Sequence, residues 1–475
     1  MLLVLAGLLA GCGPAISDYV PPLQDNSPSA RRVEVMDRVL KAADQLRALF
    51  QESTERFRFT DLRRSIGRAV EAFDPNSPAA LTSAAALAYG AGRVDDGLAL
   101  FELALEVENT PSLYSEHATL LVDAKAYAAA RELAFDGLDR YPEDEALRVA
   151  SDRAIDEDPV LLPPTPLRLT PSQADSIKAL GGGSTVTFKL VVAGQNVAAL
   201  KPDQDLGQSM YRSEIAFYRL CVLLRCSFRV PYNAPLEIEK GDFETLYSRV
   251  DSDKQSGYRS KFIHIKWHTG EDGATYLLAT WKEWVPEFTG FPIEATSTWT
   301  SWVTAGSHSD LEEKVADWLP KLAEAAGPRG WTNNKARVGY AGEMTVRTLA
   351  QQISDVLSMD YLSNNWDRFS GDPELYGANC HMEPGGLVAI DNGAAFPPWD
   401  TSRVERRFKL TQRFSRRFVL ALRRLDHDKT QERLFPGANT DELKRFEIFW
   451  GRRQSLLDRV DALIKEHGED EILAF

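Results

Sequence analysis

The sequence predicts an all-α helical repeat region followed by a domain of the α+β class. From Val33 onward, apolar residues recur at the spacing of helices. Five prolines within 156–171 end that pattern and mark a domain boundary. β-branched stretches of strand length and an amphipathic helix follow, as in α+β folds. We therefore expect helical repeats at 33–157, a proline-rich linker at 158–172 and the second domain at 173–475.

The composition is that of a globular protein. Hydrophobic residues make up 44% and charged residues 26% of the 475 residues, proportions that suit a packed core and not a disordered chain. The net charge of −14 argues against sequence-independent binding of nucleic acid, which needs a basic face. All ten tryptophans lie at or after Trp267, so the larger core is expected in the second half of the chain.

The first residues are typical of a targeting signal. Residues 1–11 are small and mostly apolar, but a helix that spans a bilayer needs about 20 residues. The Leu-Ala-Gly-Cys at 9–12 resembles a bacterial lipobox, in which the cysteine carries the lipid. We expect residues 1–12 to be a lipoprotein signal peptide, with Cys12 anchoring the chain to the bacterial cell envelope, facing the periplasm or the exterior. Neither Lys nor Arg precedes the apolar run, and the alternative interpretation is an apolar core strand or a stray apolar start. The Pro- and Ser-rich residues 13–32 are expected to form a flexible tether.

One internal repeat is visible in the helical region. Its units are 33 residues apart, so that Val94 and Phe101 correspond to Tyr127 and Ala134. Small residues at other repeated positions let paired helices approach closely. This period resembles the tetratricopeptide repeat, whose arrays bind partners on a concave face. The sequence leaves two roles open for 33–157: binding a protein partner, or holding the second domain away from the membrane.

Three cysteines remain besides Cys12, too few for a disulfide scaffold. Cys221 and Cys226 are five residues apart in a helical run, where we expect poor geometry for a mutual disulfide. Together with Cys380 they are predicted to be buried free thiols. The seven histidines show no metal-ligand spacing.

The second domain opens with residues suited to phosphate binding. Gly182, Gly183 and Ser184 precede a strand, and backbone N–H groups of such a loop can approach phosphates. A second strand ends near Lys201, and Glu214 lies in the first turn of the following helix. An enzyme that transfers phosphoryl groups from ATP needs such a cation on a strand and a glutamate to hold it. The alternatives are a plain turn for the loop and a solvated surface charge for either charged residue alone.

A sharper cluster of polar residues lies further along the chain. Asp367 follows a helix that begins near Thr345, and a short hairpin separates Asn379 from Asp391, the first residue of Asp-Asn-Gly. Phosphoryl transfer needs a carboxylate to receive the proton of the acceptor hydroxyl, and Asp367 suits this role. Asn379 and Asp391 offer oxygen ligands for Mg²⁺ or Mn²⁺ on adjacent strand ends. Gly393 would allow tight backbone geometry beside the metal. The alternative is a polar loop followed by a structural hairpin turn.

These motifs resemble the secreted kinases related to four-jointed and the Golgi casein kinase, and more distantly the HipA-type and phosphatidylinositol kinases. The resemblance spans roughly 175–460 and implies a two-lobed α+β domain like that of the atypical protein kinases. It rests on Ala-Leu-Lys-Pro at 199–202, Ser-Glu-Ile-Ala-Phe at 213–217, Asn-Trp-Asp-Arg at 365–368 and Ile-Asp-Asn-Gly at 390–393.

The resemblance implies an ATP-dependent phosphotransferase that moves the γ-phosphoryl group to a hydroxyl of a protein or a small molecule. Lys201 is then the phosphate ligand, and Glu214 holds that lysine or the metal. Asp367 is the catalytic base, and Asp391 binds Mg²⁺ or Mn²⁺. Phe369 stands where the family often has histidine, which leaves the substrate and the activity open. The alternative is a pseudokinase scaffold that binds partners through its repeat domain.

Overall fold

The chain divides into two compact units, residues 1–162 and 163–475, in the computed structural model. The predicted linker at 158–172 contains this division. The structure describes residues 77–163, 165–180, 185–206, 210–250, 262–286, 289–290, 296–307, 311–317, 344–368, 379–383, 385–399 and 402–475. The predicted signal peptide with Cys12, the tether and the first part of the helical region lie outside the described residues.

Five helices make up the described part of the first unit. They are α1 (Pro78–Gly90), α2 (Val94–Val107), α3 (Pro111–Asp123), α4 (Tyr127–Arg140) and α5 (Glu145–Asp156). Proline begins α1 and α3, where its missing N–H has no helical partner to lose, and the Ser77 hydroxyl caps α1. Asp144 caps α5, because its side chain accepts a hydrogen bond from the Leu147 N–H at 2.9 Å. The corresponding helices of the 33-residue repeat are α2 and α4.

Small residues bring the helices of the first unit together. A Cβ atom at Gly97 of α2 would stand 2.1 Å from the Tyr89 ring, so that only glycine fits without a shift of that ring. A Cβ atom at Gly137 of α4 would stand 2.8 Å from the Leu147 side chain. Accordingly, α1 packs against α2, and α4 packs against both α3 and α5. Close helix pairing is what the repeated small residues predicted.

A seven-stranded sheet forms the first lobe of the second unit. Its strands are β1 (Leu167–Arg168), β2 (Ser176–Ala179), β3 (Phe188–Val192), β4 (Gln195–Pro202), β5 (Asn233–Glu239), β6 (Trp267–Thr269) and β7 (Thr275–Glu283). Their order in the sheet is β1–β5–β7–β4–β3–β2, and β6 pairs with β7. All described pairings are antiparallel except that of β1 with β5. Helices α6 (Tyr211–Leu223) and α7 (Lys240–Ser248) accompany this sheet.

A small antiparallel sheet and several helices form the second lobe. The sheet contains β8 (Thr289–Gly290), β9 (Cys380–Glu383) and β10 (Gly386–Ala389), with β9 in the middle. The helices are α8 (Thr296–Val303), α9 (Val346–Leu362), α10 (Ser402–Phe408), α11 (Arg416–Arg424), α12 (His427–Leu434), α13 (Thr440–His467) and α14 (Glu469–Ile472). Helix α9 is buried at 13 of its 17 positions, which makes it the central helix of this lobe.

The predicted fold class is confirmed: helical repeats precede a two-lobed α+β domain. In the described parts of the chain, none of the helices has the length and the apolar character needed to cross a membrane.

Candidate functional site

Lys201 is held near the end of a central strand. It lies on β4, which is hydrogen-bonded to β3 on one side and to β7 on the other, and its side chain is 4% exposed. Its Nζ lies 3.1 Å from Glu214 Oε1 and also donates a hydrogen bond to Asp391 Oδ1. Burial would lower the pKa of Lys201, but the carboxylates of Asp391 and Glu214 outweigh burial and raise it. Lys201 is therefore a fixed ammonium group facing two carboxylates.

Glu214 connects the helix, the strand and the segment after β10. It lies in the first turn of α6 and is fully buried. Its Oε1 accepts the hydrogen bond from Lys201, and its Oε2 accepts one from the backbone N–H of Asn392 at 2.9 Å. Just before α6, the Met210 N–H donates to the Gly393 carbonyl at 2.9 Å. The start of α6 is thereby joined to the Asp-Asn-Gly segment.

Lys282 is a second lysine of this site, and the sequence analysis did not identify it. In the β4–β7 pair, Thr280 lies opposite Lys201, and Lys282 lies opposite Ala199. Because alternate residues of a strand share one face, the two lysines lie on the same face of the sheet. Lys282 Nζ lies 3.4 Å from Glu214 Oε1, and its side chain is 11% exposed. One buried carboxylate therefore accepts hydrogen bonds from two ammonium groups.

Asp391 follows β10 in a left-handed backbone conformation, with φ of 53°. Aspartate adopts this conformation more readily than most residues with a side chain. The special backbone geometry expected at Gly393 is thus found at Asp391 instead. Burial would raise the pKa of the Asp391 carboxyl, but the ammonium groups of Lys201 and Lys282 hold it well below its usual range. Asp391 is consequently an anion at any pH near neutrality.

Asp367 and Asn379 are in direct contact. Asp367 lies in a 3₁₀ turn, Trp366–Arg368, that follows α9. The Asn379 Nδ2 atom donates to the Asp367 carbonyl at 3.1 Å and to its Oδ2 at 3.3 Å. Burial raises the pKa of Asp367, and the negative charge of Asp391 raises it further, while Lys201 opposes them. The carboxylates of Asp367 and Asp391 therefore belong to one electrostatic site.

The β9–β10 hairpin explains why Asn379 and Asp391 come together. The two strands are antiparallel, with Cys380 opposite Ala389. Asn379 immediately precedes β9, Asp391 comes shortly after β10, and the Ile390 N–H donates to the Asn379 carbonyl at 3.1 Å. Both side chains consequently emerge from the same end of the hairpin, where the sequence analysis placed them.

Arg368 holds the two ends of the β9–β10 hairpin in place through a buried ion pair and hydrogen bonds. The sequence analysis did not assign this role. The buried guanidinium forms an ion pair with Asp360, whose nearest oxygen is 3.2 Å away. It also donates hydrogen bonds to the Ile390 carbonyl at 2.9 Å, to the Asn379 carbonyl and to Asn392 Oδ1. Burial raises the pKa of Asp360 to about 6, against the opposing effect of Arg368. Arg368 thus offsets part of the cost of burying the Asp360 carboxyl.

Replacing Arg368 with methionine should destabilise the domain strongly. The change leaves the buried Asp360 carboxylate without its partner, and breaking a buried ion pair in this way costs about 3–5 kcal/mol. Urea unfolding followed by tryptophan fluorescence measures the loss in the free energy of unfolding. Arg423→Met is the matched control, because it removes an exposed ion pair with Asp461 that contributes at most about 1 kcal/mol. Equal losses in the two variants would contradict the structural role of Arg368.

The predicted phosphate loop, Gly182, Gly183 and Ser184, lies outside the described residues. On its C-terminal side, the Val186 N–H donates to Gln204 Oε1 at 2.8 Å, and Gln204 Nε2 donates to the Val186 carbonyl at 3.3 Å. Gln204 comes three residues after Lys201 in the sequence. The chain that leaves the loop is thus fastened close to the end of β4.

The oxygen donors of this cluster fit Mg²⁺ or Mn²⁺. Hard cations prefer carboxylate and amide oxygens, and Asp391 and Asn379 carry both kinds at one end of the hairpin. Mg²⁺ commonly binds through one or two carboxylates together with water and substrate phosphates. The described residues contain no group of three or more His, Cys, Asp or Glu side chains that could hold a metal ion. The two donors of Asp391 and Asn379 suit a cation that is shared with phosphate.

Comparisons with known proteins give similarity in structure only. No family model matches the sequence, and no curated protein matches it. A crystal structure of the Golgi casein kinase with Mn/ADP bound is similar at 13% identity and a TM-score of 0.41, over 74% of this chain and 92% of that chain. Another crystal structure of the Golgi casein kinase is similar at 14% identity and a TM-score of 0.40, over 71% of this chain and 85% of that chain. The roles of individual residues consequently rest on the contacts within this chain.

Proposed function

We propose that the second unit transfers the γ-phosphoryl group of ATP to a hydroxyl of a protein or small-molecule acceptor, together with Mg²⁺ or Mn²⁺. One observation carries the proposal. Lys201, Glu214 and Asp391, which are far apart in the sequence, form one hydrogen-bonded network beside the Asp367–Asn379 pair. These are the residue types that phosphoryl transfer requires: a cation for the phosphates, a glutamate that positions it, metal ligands and a base.

The lysine and the metal ligands act on the phosphates. Asp391 and Asn379 would hold the metal ion, which when bound neutralises phosphate charge and orients the nucleotide. Lys201 would exchange its hydrogen bond with Asp391 for one with a phosphate oxygen. Glu214 keeps the ammonium group in place during this exchange, because its other oxygen is fixed by the Asn392 N–H.

Asp367 acts on the acceptor. As the acceptor oxygen attacks, a carboxylate oxygen of Asp367 would take up the hydroxyl proton. Burial raises the pKa of Asp367, which makes it a better proton acceptor than an exposed aspartate. The Asn379 amide holds the carboxylate by its hydrogen bond to Oδ2, so that little orientational freedom remains to be lost in the reaction.

Lys282 acts on the nucleotide through Glu214, as a positioning residue. Its ammonium group contacts the same Glu214 oxygen as Lys201, so that the buried carboxylate keeps a second partner while Lys201 contacts the phosphates. Lys282→Met should therefore raise KM for ATP about tenfold with a smaller change in kcat, and Lys282→Arg should restore much of the loss. Steady-state kinetics check this, with Lys178→Met on β2 of the same sheet as the control. An unchanged KM in Lys282→Met would remove Lys282 from the site.

ATP binding and turnover by the purified protein test the proposal as a whole. With Mg²⁺ or Mn²⁺, the wild-type protein should bind ATP and release or transfer its γ-phosphate. Nucleotide binding that is lost in Lys201→Ala, without any turnover by the wild type, would favour the pseudokinase scaffold. No nucleotide binding at all would contradict both functions.

Attachment of a lipid at Cys12 is proposed from the Leu-Ala-Gly-Cys sequence at 9–12. The lipid would place the protein at the bacterial cell envelope. Metabolic labelling with a palmitate analogue should mark the wild type and leave Cys12→Ser unmarked. Cys380→Ser is the control that should keep the label. Equal labelling of the wild type and Cys12→Ser would contradict a lipid on Cys12.

The helical repeats are proposed to bind a protein partner, and the paired helices of the first unit support this role. The competing role is that of a spacer between the membrane and the second unit. Cross-linking in intact cells distinguishes the two roles. A partner should be captured by the wild type and lost on deletion of 77–157, whereas a spacer captures none through this region.

A further inference from the structure

The C-terminal end of α6 brings two cysteines together. The Cys226 N–H donates to the Cys221 carbonyl at 3.0 Å, and the Arg225 N–H donates to the Val222 carbonyl at 3.2 Å. Arg225 itself has φ of 54°, in the left-handed region. These two hydrogen bonds and the left-handed residue define a Schellman motif, which commonly brings side chains near the helix end into contact with the second residue beyond its cap. Here those two residues are Cys221 and Cys226.

The sequence analysis expected no disulfide between residues five apart in a helical run, and Cys221 and Cys226 are free thiols in this structure. The helix itself, however, does not extend over both residues. The helix ends at Leu223, and the reversal at Arg225 turns Cys226 back toward the last turn. The Cys221 thiol is close enough to Cys226 to contribute to the raised pKa of Cys226, after burial, which is the larger cause. Cys221 is buried and Cys226 is partly exposed. Cys226 is thus the more exposed residue of the two.

We propose that Cys221 and Cys226 form an intramolecular disulfide by exchange with a low-molecular-weight disulfide such as glutathione disulfide. The Cys226 thiolate attacks one sulfur of glutathione disulfide, forming a mixed disulfide and releasing one glutathione thiolate. Cys221 then gives its proton to solvent and attacks the Cys226 sulfur, which releases the second glutathione. Two protein thiols are oxidised and one glutathione disulfide is reduced to two thiols, so the exchange is balanced.

The cross-link lies where it would hold two parts of the domain together. Helix α6 carries Glu214 in its first turn and Cys221 in its last. Cys226 is followed by Arg229, whose N–H donates to the Leu387 carbonyl at 2.9 Å on β10. A disulfide would thus fasten the end of α6 to the segment that contacts β10. The inference depends only on this geometry and not on the proposed function.

Exchange in the folded protein should be slow. Burial, and then the hydrogen bond with Cys221, raise the pKa of the Cys226 thiol, so that little thiolate is present at neutral pH. The test accordingly uses two samples of the full protein. One is incubated folded in excess glutathione disulfide, and the other is refolded in a mixture of reduced and oxidised glutathione.

Tryptic peptides report the linkage directly. Cleavage after Arg219, Arg225 and Arg229 separates Cys221, in peptide 220–225, from Cys226, in peptide 226–229. After free thiols are blocked, the two peptides should appear in mass spectra as one species, lower in mass by two hydrogen atoms than their sum, and reductant should separate them. The cross-linked protein should also unfold about 2–4 °C higher than the reduced protein. That difference should vanish in Cys226→Ser.

The outcomes are distinct. A linked pair of peptides from either sample supports the disulfide. If Cys221 and Cys226 are fully alkylated in both samples, or if either cysteine pairs mainly with Cys380, the proposal is overturned. Cys221→Ser is the matched control, because it keeps Cys226 and should yield at most a glutathione adduct on peptide 226–229.

Discussion

Replacing Asp391 with alanine is expected to lower ATP turnover by about 10³-fold or more and to weaken binding of the metal–nucleotide complex. A metal ligand acts on the phosphates in the ground state and in the transition state alike, so that both affinity and rate are lost. Metal ions supply several kcal/mol of charge stabilisation in such reactions, and each 1.36 kcal/mol corresponds to a tenfold change in rate. The Lys201 ammonium group forms ion pairs with Glu214 and with Asp391. Removing Asp391 leaves it with the Glu214 pair and without the Asp391 pair.

Titration with a fluorescent ATP analogue at several Mn²⁺ concentrations, together with steady-state turnover, measures both effects. Asp461→Ala removes an exposed carboxylate distant in sequence from the site and serves as the control. If Asp391→Ala binds the nucleotide with the same dependence on Mn²⁺ as the wild type, Asp391 is not a metal ligand.

Replacing Asp367 with asparagine should lower kcat by about 10²–10⁴-fold and leave nucleotide affinity nearly unchanged. A general base acts as the proton moves, and its removal costs rate without removing a contact with the phosphates. Asparagine has the shape of aspartate and keeps an oxygen that can accept the Asn379 hydrogen bond, so the 3₁₀ turn should persist. Asp391→Ala and Asp367→Asn therefore separate binding from chemistry.

Single-turnover rates and equilibrium nucleotide binding check this separation on the same protein samples. Asn379→Ala is an informative companion, because it removes both the group that orients Asp367 and a proposed metal ligand. It should therefore weaken nucleotide binding as well as lower kcat, unlike Asp367→Asn. Full turnover by Asp367→Asn would show that another group accepts the proton.

The sequence could predict those parts of the site that lie on elements adjacent in the chain. Lys201 ends a strand and Glu214 begins the next helix, and a strand and helix in this order place the two side chains in contact. Asn379 and Asp391 flank a hairpin, and antiparallel pairing brings its two ends together whatever the rest of the fold does. Both contacts join residues on neighbouring elements, and the order of these elements in the sequence was therefore enough to predict them.

The parts that the sequence could not supply depend on how distant elements pair. Lys282 reaches Glu214 because of the register between β4 and β7, and one residue of slippage would turn it to the other face of the sheet. Arg368 lies eight residues after Asp360, and only the end of α9 and the following turn bring them into contact. From the sequence alone, an arginine in a polar loop is expected to be a solvated charge.

The chain reversal at the end of α6 escaped sequence analysis for a different reason. A Schellman motif is usually signalled by glycine in the left-handed position, and here arginine occupies it. Without glycine at 225, the helical pattern gave no sign that the chain reverses before Cys226.

Transfer of a γ-labelled phosphoryl group is the most direct test that Lys201, Glu214, Asp367 and Asp391 form a phosphotransfer site. The wild-type protein with Mn²⁺ and γ-labelled ATP should move the label to an added hydroxyl acceptor or to water. Asp367→Asn should bind the same ATP and leave the label on it. Label that stays on ATP with the wild type, or that moves equally fast with Asp367→Asn, would contradict this function.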